Sequence, residues 1–267
     1  MVVNLTPCWT SRFPWFPCSA CLGHSEAAHA IAVITCKSYA NEVIASALKA
    51  RGFVGSIVIL QNGVNVETPF LNAGFKEVHR CVLYVTSQTT GEHAVKFRPI
   101  SSCGVGVIHG TEADRDDCVA ALNQPGLEFQ FHAESNIQRL IWKKAILNAV
   151  FNSICPLLDV DNGIFMRDAG AAALAQEIVE ECLTLTHKLG ILPELTLQEI
   201  MQQLMKISHG GNGVLISTLQ DIRHGRQTEI ESLNLAMVKI AAEFKPPLPL
   251  IETEMLGRMV LMKAQGK

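Results

Sequence analysis

Residues 31–60, IAVITCKSYANEVIASALKARGFVGSIVIL, decide the fold class. Both ends are short apolar runs rich in β-branched side chains, 31–36 and 56–60, which are typical of strands buried on both faces. Between them apolar positions recur at helical spacing over about 40–49, and Gly52 is placed to end that helix. A strand, a helix and a strand within about 30 residues predict a βαβ unit with parallel strands and a right-handed crossover.

Length and composition narrow the class of protein further. The chain has 267 residues, 48% of them hydrophobic and 18% charged, which excludes a disordered or fibrous chain and favours two globular domains. The formal net charge of -3 gives no electrostatic case for nucleic-acid binding. No run of 18 apolar residues is present, so a membrane-spanning helix is not expected.

Cysteine usage bears on compartment and metal binding. Nine cysteines, an odd number with several inside apolar runs, are typical of free thiols in a reducing cytoplasm. The first 25 residues contain no uninterrupted apolar segment, so we expect no secretory signal. Cys18 and Cys21, with Cys8 and His24 nearby, could ligate zinc, but a single C-x-x-C pair is a weak signal and we predict no metal site.

The chain divides into three segments by composition and periodicity. Residues 1–29 are rich in Pro, Trp and Cys without a regular period, and we expect irregular structure there. Residues 30–133 form the α/β part, with further strands at 82–86 and 103–108 and a helix from about Thr111. Residues 134–267 are helical throughout, and the longest helical patterns lie around 137–151, 171–189, 197–206 and 229–244.

Two polar segments follow the strands of the βαβ unit. Lys37 comes just after the first strand, and Asn62 with Gly63 comes just after the second. Because ligands of open α/β sheets bind at the carboxyl ends of the strands, this edge is a candidate binding site. The alternative is an ordinary turn dipeptide and a solvated lysine. The glycines of 104–110 alternate with valines inside a predicted strand, which does not suit a phosphate-binding turn.

The segment 141–152 carries a polar stripe on an otherwise apolar helix. Lys144, Asn148 and Asn152 are spaced i, i+4 and i+8, so they share one face. Apolar residues one turn away would desolvate the Lys144 ammonium and lower its pKa, so that it can give up a proton near neutral pH. An amphipathic helix whose polar residues face solvent remains the alternative. Lys143 also has apolar neighbours, and only alignment with the asparagines selects Lys144.

The segment 217–231 is the second candidate. Gly225 is placed to end one helix, and Thr228 with Glu231 predicts a capping box for the next. Glu229 then lies in the first turn of that helix, where the helix dipole favours a carboxylate, so a purely structural role is the alternative. The buried face of the predicted helix is formed by Ile230, Leu233, Met237, Ile240 and Phe244.

Taken together, these segments resemble the ketopantoate reductase (2-dehydropantoate 2-reductase) family, in the family's order and over about residues 30–260. The resemblance implies an incomplete, Rossmann-like parallel-sheet domain followed by an all-α C-terminal domain. The matching pieces are Val33-Ile34-Thr35-Cys36-Lys37, Leu60-Gln61-Asn62-Gly63, Trp142-x-Lys144-x-x-x-Asn148-x-x-x-Asn152, Leu219-Gln220-Asp221 and Gly225-Arg226-x-Thr228-Glu229-Ile230 with Asn234.

The resemblance also implies an activity. This is the NADPH-dependent reduction of 2-dehydropantoate, or a related 2-oxoacid, to the 2-hydroxy acid pantoate. Lys144 would be the general acid, and Glu229 would hydrogen-bond the substrate and help to fix Lys144. The implied substrate-binding residues are Asn148, Asn152 and Ser217, and the implied cofactor contacts are Lys37 and Asn62.

One part of the family pattern is missing and leaves a second hypothesis open. The G-x-G-x-x-G turn with which the family begins has no counterpart before Ile31. The alternative is therefore a truncated gene product or pseudoenzyme that does not bind cofactor and serves as an interaction or oligomerisation module. Because an incomplete sheet exposes an edge and apolar surface, dimerisation or poor solubility is expected.

Overall fold

The computed structural model describes residues 2–4, 30–91, 94–127 and 129–266. It forms two compact units, Met1–Gln61 with Val66–Leu140, and Asn62–Asn65 with Ile141–Lys267. Most of the segment expected to be irregular, 1–29, lies outside the described residues. Val2–Asn4 is the exception, and the prediction is wrong there because these residues pair in parallel with Ile31, Ala32 and Val33 as a strand.

Among the described residues, the first unit contains a six-stranded sheet in the order β1-β2-β3-β4-β7-β8 and a separate hairpin, β5-β6. The strands are β1 Val2–Asn4, β2 Ile31–Ile34, β3 Ser56–Ile59, β4 Val78–Val82, β5 Val85–Gly91, β6 Ala94–Pro99, β7 Cys103–His109 and β8 Phe131–Ala133. Strands β1 to β4 are parallel, and α1, Asn41–Ala50, connects β2 to β3. The predicted βαβ unit and α/β fold class are confirmed.

The sheet contains one antiparallel pair that the periodicity did not predict. Strand β7 pairs antiparallel with β4, and the chain between them is the β5-β6 hairpin. Antiparallel neighbours need no helical crossover, so a hairpin can replace one here. The single strand predicted at 82–86 is wrong in detail, because β4 ends at Val82 and β5 begins at Val85.

Both faces of the sheet are buried, which explains the continuous apolar runs. Ile34 and Ile57 pack on one face in the same cluster as Ile44 and Leu48 of α1. On the other face, Val58 and its neighbours cluster with residues of α3, Glu112–Leu122. Side chains of a strand alternate between faces, so only a sheet covered on both sides selects a strand without polar positions.

The glycines of β7 have a packing role. A Cβ added at Gly106 would lie 2.3 Å from the Cβ of Ile137, and one at Gly104 would lie 2.9 Å from Cδ1 of Leu140. Ile137 and Leu140 belong to the first turn of α4, Ile137–Leu158. The glycines therefore let this helix begin close against the strand, and the assignment of 103–108 to a strand is confirmed.

The second unit is helical. After α4, its helices are α5 Ile164–Arg167, α6 Ala169–Lys188, α7 Leu197–Gly210, α8 Ser217–Arg223, α9 Asn234–Ala242 and α10 Ile251–Gln265. The first unit also contains the short helix α2, Thr68–Asn72. In the described part of the chain, no helix has the length and apolar character needed to cross a membrane. All the cysteines there are free and buried, as predicted: Cys36, Cys81, Cys103, Cys118, Cys155 and Cys182.

The helix predicted from 229 to 244 is interrupted. Ile230–Ser232 form a 3-10 turn with no side-chain cap, Leu233 is non-helical at φ -107° and ψ -101°, and α9 begins at Asn234. The predicted capping box is wrong, since the buried Thr228 hydroxyl has no hydrogen-bond partner among the described residues. The carbonyl of Ser232 accepts a hydrogen bond from the N–H of Val64 at 3.0 Å, so a tertiary contact holds this turn.

Candidate active site

The polar stripe predicted on α4 is present and changes in accessibility along the helix. Lys144 and Asn148 are half-buried, whereas the side chain of Asn152 is 3% exposed. The intervening Ala145 and Ala149 are buried, so the stripe borders an apolar core. Lys144 lies one turn before Asn148, about 6 Å along the helix axis. A cation and an amide are thus placed side by side at a partly accessible surface.

Asn152 connects α4 to α8. Its Nδ2 donates to the carbonyl of Asn148 at 2.9 Å, and its Oδ1 accepts from Oγ1 of Thr218 at 2.6 Å. Thr218 is the second residue of α8 and is buried, while Ser217, the first, is exposed. The Asn152–Thr218 hydrogen bond therefore fixes the position of Ser217 relative to the stripe.

The loop Asn62–Asn65 belongs to the helical unit and reaches the segment that follows Glu229. Gly63 has a φ of +107°, and a Cβ there would lie 2.6 Å from the carbonyl oxygen of Ser232. Ser232 in turn donates from Oγ to the carbonyl of Glu229 at 3.0 Å. Asn62 and Glu229, both half-buried, are thus held on either side of one close backbone contact.

A further buried amide connects α9 to α4. Asn234 is fully buried and donates from Nδ2 to the carbonyl of Ala149 at 3.1 Å. Its Oδ1 has no hydrogen-bond partner among the described residues. Two helices that flank the stripe, α8 and α9, are therefore each held to α4 by an asparagine side chain.

Polar side chains follow strands β2 and β3 at the carboxyl edge of the sheet. Lys37 lies three residues after the end of β2 and is half-buried. The side-chain amides of Asn41 and Gln61 bond to each other at 2.8 and 2.7 Å, and Nε2 of Gln61 also donates to the carbonyl of Cys36 at 2.8 Å. The segments that follow β2 and β3 are thereby held together within the first unit.

Sequence reasoning missed a buried ion pair next to the 62–65 loop. Arg80 of β4 is 1% exposed, bonds to the carboxylate of Glu67 at 2.5 Å and donates to the carbonyl of Gln61 at 3.1 Å. Gln61 and Glu67 precede and follow the loop that carries Asn62. The available signal was an arginine inside an apolar strand, since a buried charge needs a charged or hydrogen-bonding partner.

Six of the seven predicted site residues therefore lie in the helical unit. The set combines an amine, a carboxylate, amides and a hydroxyl, which are the groups that bind and protonate a small oxygen-rich anion. Lys37 lies in the first unit. Among the described residues no group of three metal-ligating side chains occurs, while Cys8, Cys18, Cys21 and His24 lie outside them.

The fold is shared with several solved structures. D-mandelate dehydrogenase in complex with NADH and anilino(oxo)acetate superposes with a TM-score of 0.74 at 20% identity, covering 88% of this chain and 76% of that one. A dimeric ketopantoate reductase from Staphylococcus aureus superposes with a TM-score of 0.72 at 19% identity, covering 88% and 78%.

Sequence comparisons relate the chain to known proteins. Residues 136–261 match the family model described as "Ketopantoate reductase PanE/ApbA C terminal". A 2-dehydropantoate 2-reductase from Archaeoglobus fulgidus is 27% identical over 215 residues, which is 80% of this chain and 70% of the relative. Together, these similarities support the ketopantoate reductase family for this chain.

Proposed function

We propose that the protein is an NADPH-dependent oxidoreductase that reduces 2-dehydropantoate, or a closely related 2-oxoacid, to pantoate or the corresponding 2-hydroxy acid. The observation that carries the proposal is the half-buried Lys144–Asn148 pair on α4, set in a frame that Asn152 and Asn234 fix by buried hydrogen bonds. The Archaeoglobus fulgidus relative, named as a 2-dehydropantoate 2-reductase, supports the choice of substrate.

Lys144 is the proposed general acid. NADPH, when bound, supplies the hydride that reduces the carbonyl carbon. As the carbonyl oxygen gains negative charge, the Lys144 ammonium stabilises it and then transfers a proton from Nζ to it, which leaves a neutral lysine and a hydroxyl group. The lowered pKa predicted for Lys144 would assist that transfer and stays a prediction.

The remaining groups of the helical unit are proposed to hold the substrate. Glu229 would accept a hydrogen bond from the substrate and orient Lys144. Asn148 and Ser217 would donate hydrogen bonds to its carboxylate and hydroxyl ends. Asn152 has the same predicted role, and the structure adds a second one, because its Oδ1 is already bonded to Thr218 and so positions α8.

Lys37 and Asn62 are the proposed contacts to the nicotinamide half of the cofactor. Lys37 and Asn62 follow the adjacent parallel strands β2 and β3, and the Asn41–Gln61 amide pair holds both segments in place. Ligands of open α/β sheets bind at this edge. The residues that follow β1 lie outside the described ranges, so no cradle for the pyrophosphate is assigned here.

Assembly and compartment complete the proposal. We propose a homodimer, which the dimeric Staphylococcus aureus relative supports. The free, buried thiols fit a reducing compartment, and we propose the cytoplasm. The division into a nucleotide-binding part, 30–133, and a substrate-binding part, 134–267, is retained as part of the same proposal.

Titration calorimetry of the full chain with NADPH, and separately with NADH, tests the cofactor half of this proposal. We expect micromolar binding of NADPH, weaker binding of NADH, and a loss of affinity in Lys37→Ala. Lys76→Ala is the matched control, because Lys76 is an exposed lysine of the same unit. If a folded sample binds neither nucleotide, the reductase proposal is wrong. The alternative, an interaction or oligomerisation module that does not bind cofactor, is then favoured.

A further inference from the structure

The outer face of α10 carries a stripe of large apolar side chains that the described residues leave exposed. Ile251 is 63% exposed, Met255 50%, Met259 42% and Met262 62%. Their spacing of four, four and three residues places them on one side of the helix. We call these four residues the Met face. The opposite side, which includes Leu256 and Val260, is buried in the helical unit.

The Met face is presented on a helix held near both ends. At its start, the carboxylate of Glu181 accepts the backbone N–H groups of Glu252 and Thr253 at 3.0 and 2.9 Å. Near its end, Nζ of Lys263 donates to the carbonyl of Pro156 at 2.7 Å. A surface helix with one buried side normally places polar residues on the other side. An apolar stripe on a fixed helix therefore marks a contact surface.

The charges beside the Met face indicate which partner fits. Glu254 and Arg258 lie along one flank, four residues apart, and bond to each other at 2.6 Å. When two copies of one helix pack antiparallel around a two-fold axis, each flank meets the same flank of the other copy. When the two-fold axis passes near the middle of the stripe, Glu254 faces Arg258 of the second copy. The two positions are then offset by about one residue, roughly 1.5 Å, along the helix axis.

The apolar residues match in the same arrangement. With the two-fold axis near the middle of the stripe, Ile251 of one copy lies opposite Met262 of the other. Met255 and Met259 of both copies then meet at the centre. Methionine is unbranched and fills irregular gaps, so a methionine-rich face adapts to its own image. A parallel arrangement would set the Glu254–Arg258 flank against the opposite flank and lose this charge match.

We propose that the Met face of α10 docks against the Met face of a second copy of this chain around a two-fold axis. This inference rests on the homodimer proposed above and is independent of the reductase activity. The occupant is a second copy because both the apolar stripe and its charged flank are complementary to themselves.

Sedimentation equilibrium of the full chain over a concentration series tests the surface. We expect the wild type to dimerise and Met259→Lys to raise the dimer dissociation constant by more than about tenfold, as removal of a central interface contact does. Met262→Lys is a second variant at a more exposed position. Val43→Lys is the control, because Val43 is a 68% exposed apolar residue of α1, outside the Met face. Circular dichroism establishes that each variant is folded.

A charge swap tests the antiparallel geometry. Glu254→Arg and Arg258→Glu each create like charges across the axis and should weaken the dimer, while the double exchange restores opposite charges and should recover it. A monomeric wild type overturns both this inference and the homodimer. A dimer that neither lysine variant weakens, or single and double exchanges with the same effect, overturns the Met-face inference alone. Turnover measured on the same samples reports on the reductase proposal separately.

Discussion

Arg80 and Glu67 form a buried ion pair, and the same guanidinium bonds to the carbonyl of Gln61. One side chain thereby holds the residues on both sides of the loop that carries Asn62. Both side chains are buried, with exposures of 2% and 8%, so bulk solvent screens neither charge effectively. Loss of one partner leaves the other as an unpaired buried charge.

Arg80→Met should therefore lower the free energy of unfolding by about 3–5 kcal/mol. The matched control is Arg223→Met, because Arg223 pairs with Asp159 at 3.1 Å on the surface and an exposed pair contributes at most about 1 kcal/mol. Urea denaturation of the three proteins measures both values. Equal effects of the two substitutions would show that the buried pair does not hold the loop.

Gly63→Ala should disturb the loop more than a glycine substitution elsewhere. At Gly63 the added Cβ meets the Ser232 carbonyl oxygen at 2.6 Å, whereas at Gly52, which also has a positive φ of +69°, nothing lies within 4 Å. Gly52→Ala should lower stability by about 1–2 kcal/mol through backbone strain alone. Gly63→Ala should exceed that value and also raise the KM for cofactor. Thermal unfolding and steady-state kinetics measure the two effects, and a Gly63→Ala protein indistinguishable from Gly52→Ala would rule out the contact.

Thr218→Val should weaken the attachment of α8 to α4. The substitution leaves Oδ1 of the buried Asn152 without its donor, which lowers stability by about 1–3 kcal/mol. We also expect a higher KM for the 2-oxoacid, since Ser217 is no longer held in place, and recovery of both values in Thr218→Ser. Thr184→Val removes a hydroxyl from an exposed threonine that bonds to the carbonyl of Glu180, and should have little effect on either. If KM stays unchanged in Thr218→Val, Asn152 does not position Ser217.

The stability of the protein should fall as the pH drops below about 6.5. Burial lowers the pKa of His79 from its usual 6.5, and this effect exceeds the opposing influence of Asp114. His79 then stays neutral in the folded state at pH values where it binds a proton in the unfolded chain. As the pH falls, the free energy of unfolding therefore decreases by up to about 1.4 kcal/mol per pH unit. His79→Leu should reduce that slope, whereas His224→Gln, at an exposed position, should not. Equal slopes for the wild type and His79→Leu in urea titrations from pH 7.5 to 5.5 would contradict the account.

Periodicity predicted those parts of the fold whose packing is local. The runs at 31–36 and 56–60 became β2 and β3, which are buried on both faces, and the 3.6-residue pattern around 171–189 became α6, which is buried on one side. The capping box at Thr228 failed for a different reason. A contact with Val64, more than 160 residues earlier in the chain, holds the turn after Glu229, and no local pattern encodes such a contact.

The residue types of the candidate site were predictable from the sequence, but the hydrogen bonds and the ion pair that hold them in place were not. Alignment of Lys144, Asn148 and Asn152 on one face follows from helical spacing alone. That Asn152 bonds to Thr218, and that Arg80 joins Gln61 to Glu67, depends on how distant segments meet. Exposed apolar residues such as Met259 also escape sequence reasoning, because the same spacing is expected of a buried helix face.

The most direct test of the proposed reaction is the oxidation of NADPH by the full chain in the presence of 2-dehydropantoate, followed by absorbance. We predict turnover by the wild type and a loss of about 10²–10⁴-fold in kcat for Lys144→Ala, as expected for removal of a general acid. The matched control is Lys143→Ala, the half-buried lysine next to it on α4, which should retain kcat. Equal losses in the two variants, or a folded wild type that binds NADPH but does not oxidise it with this substrate or related 2-oxoacids, would contradict the account.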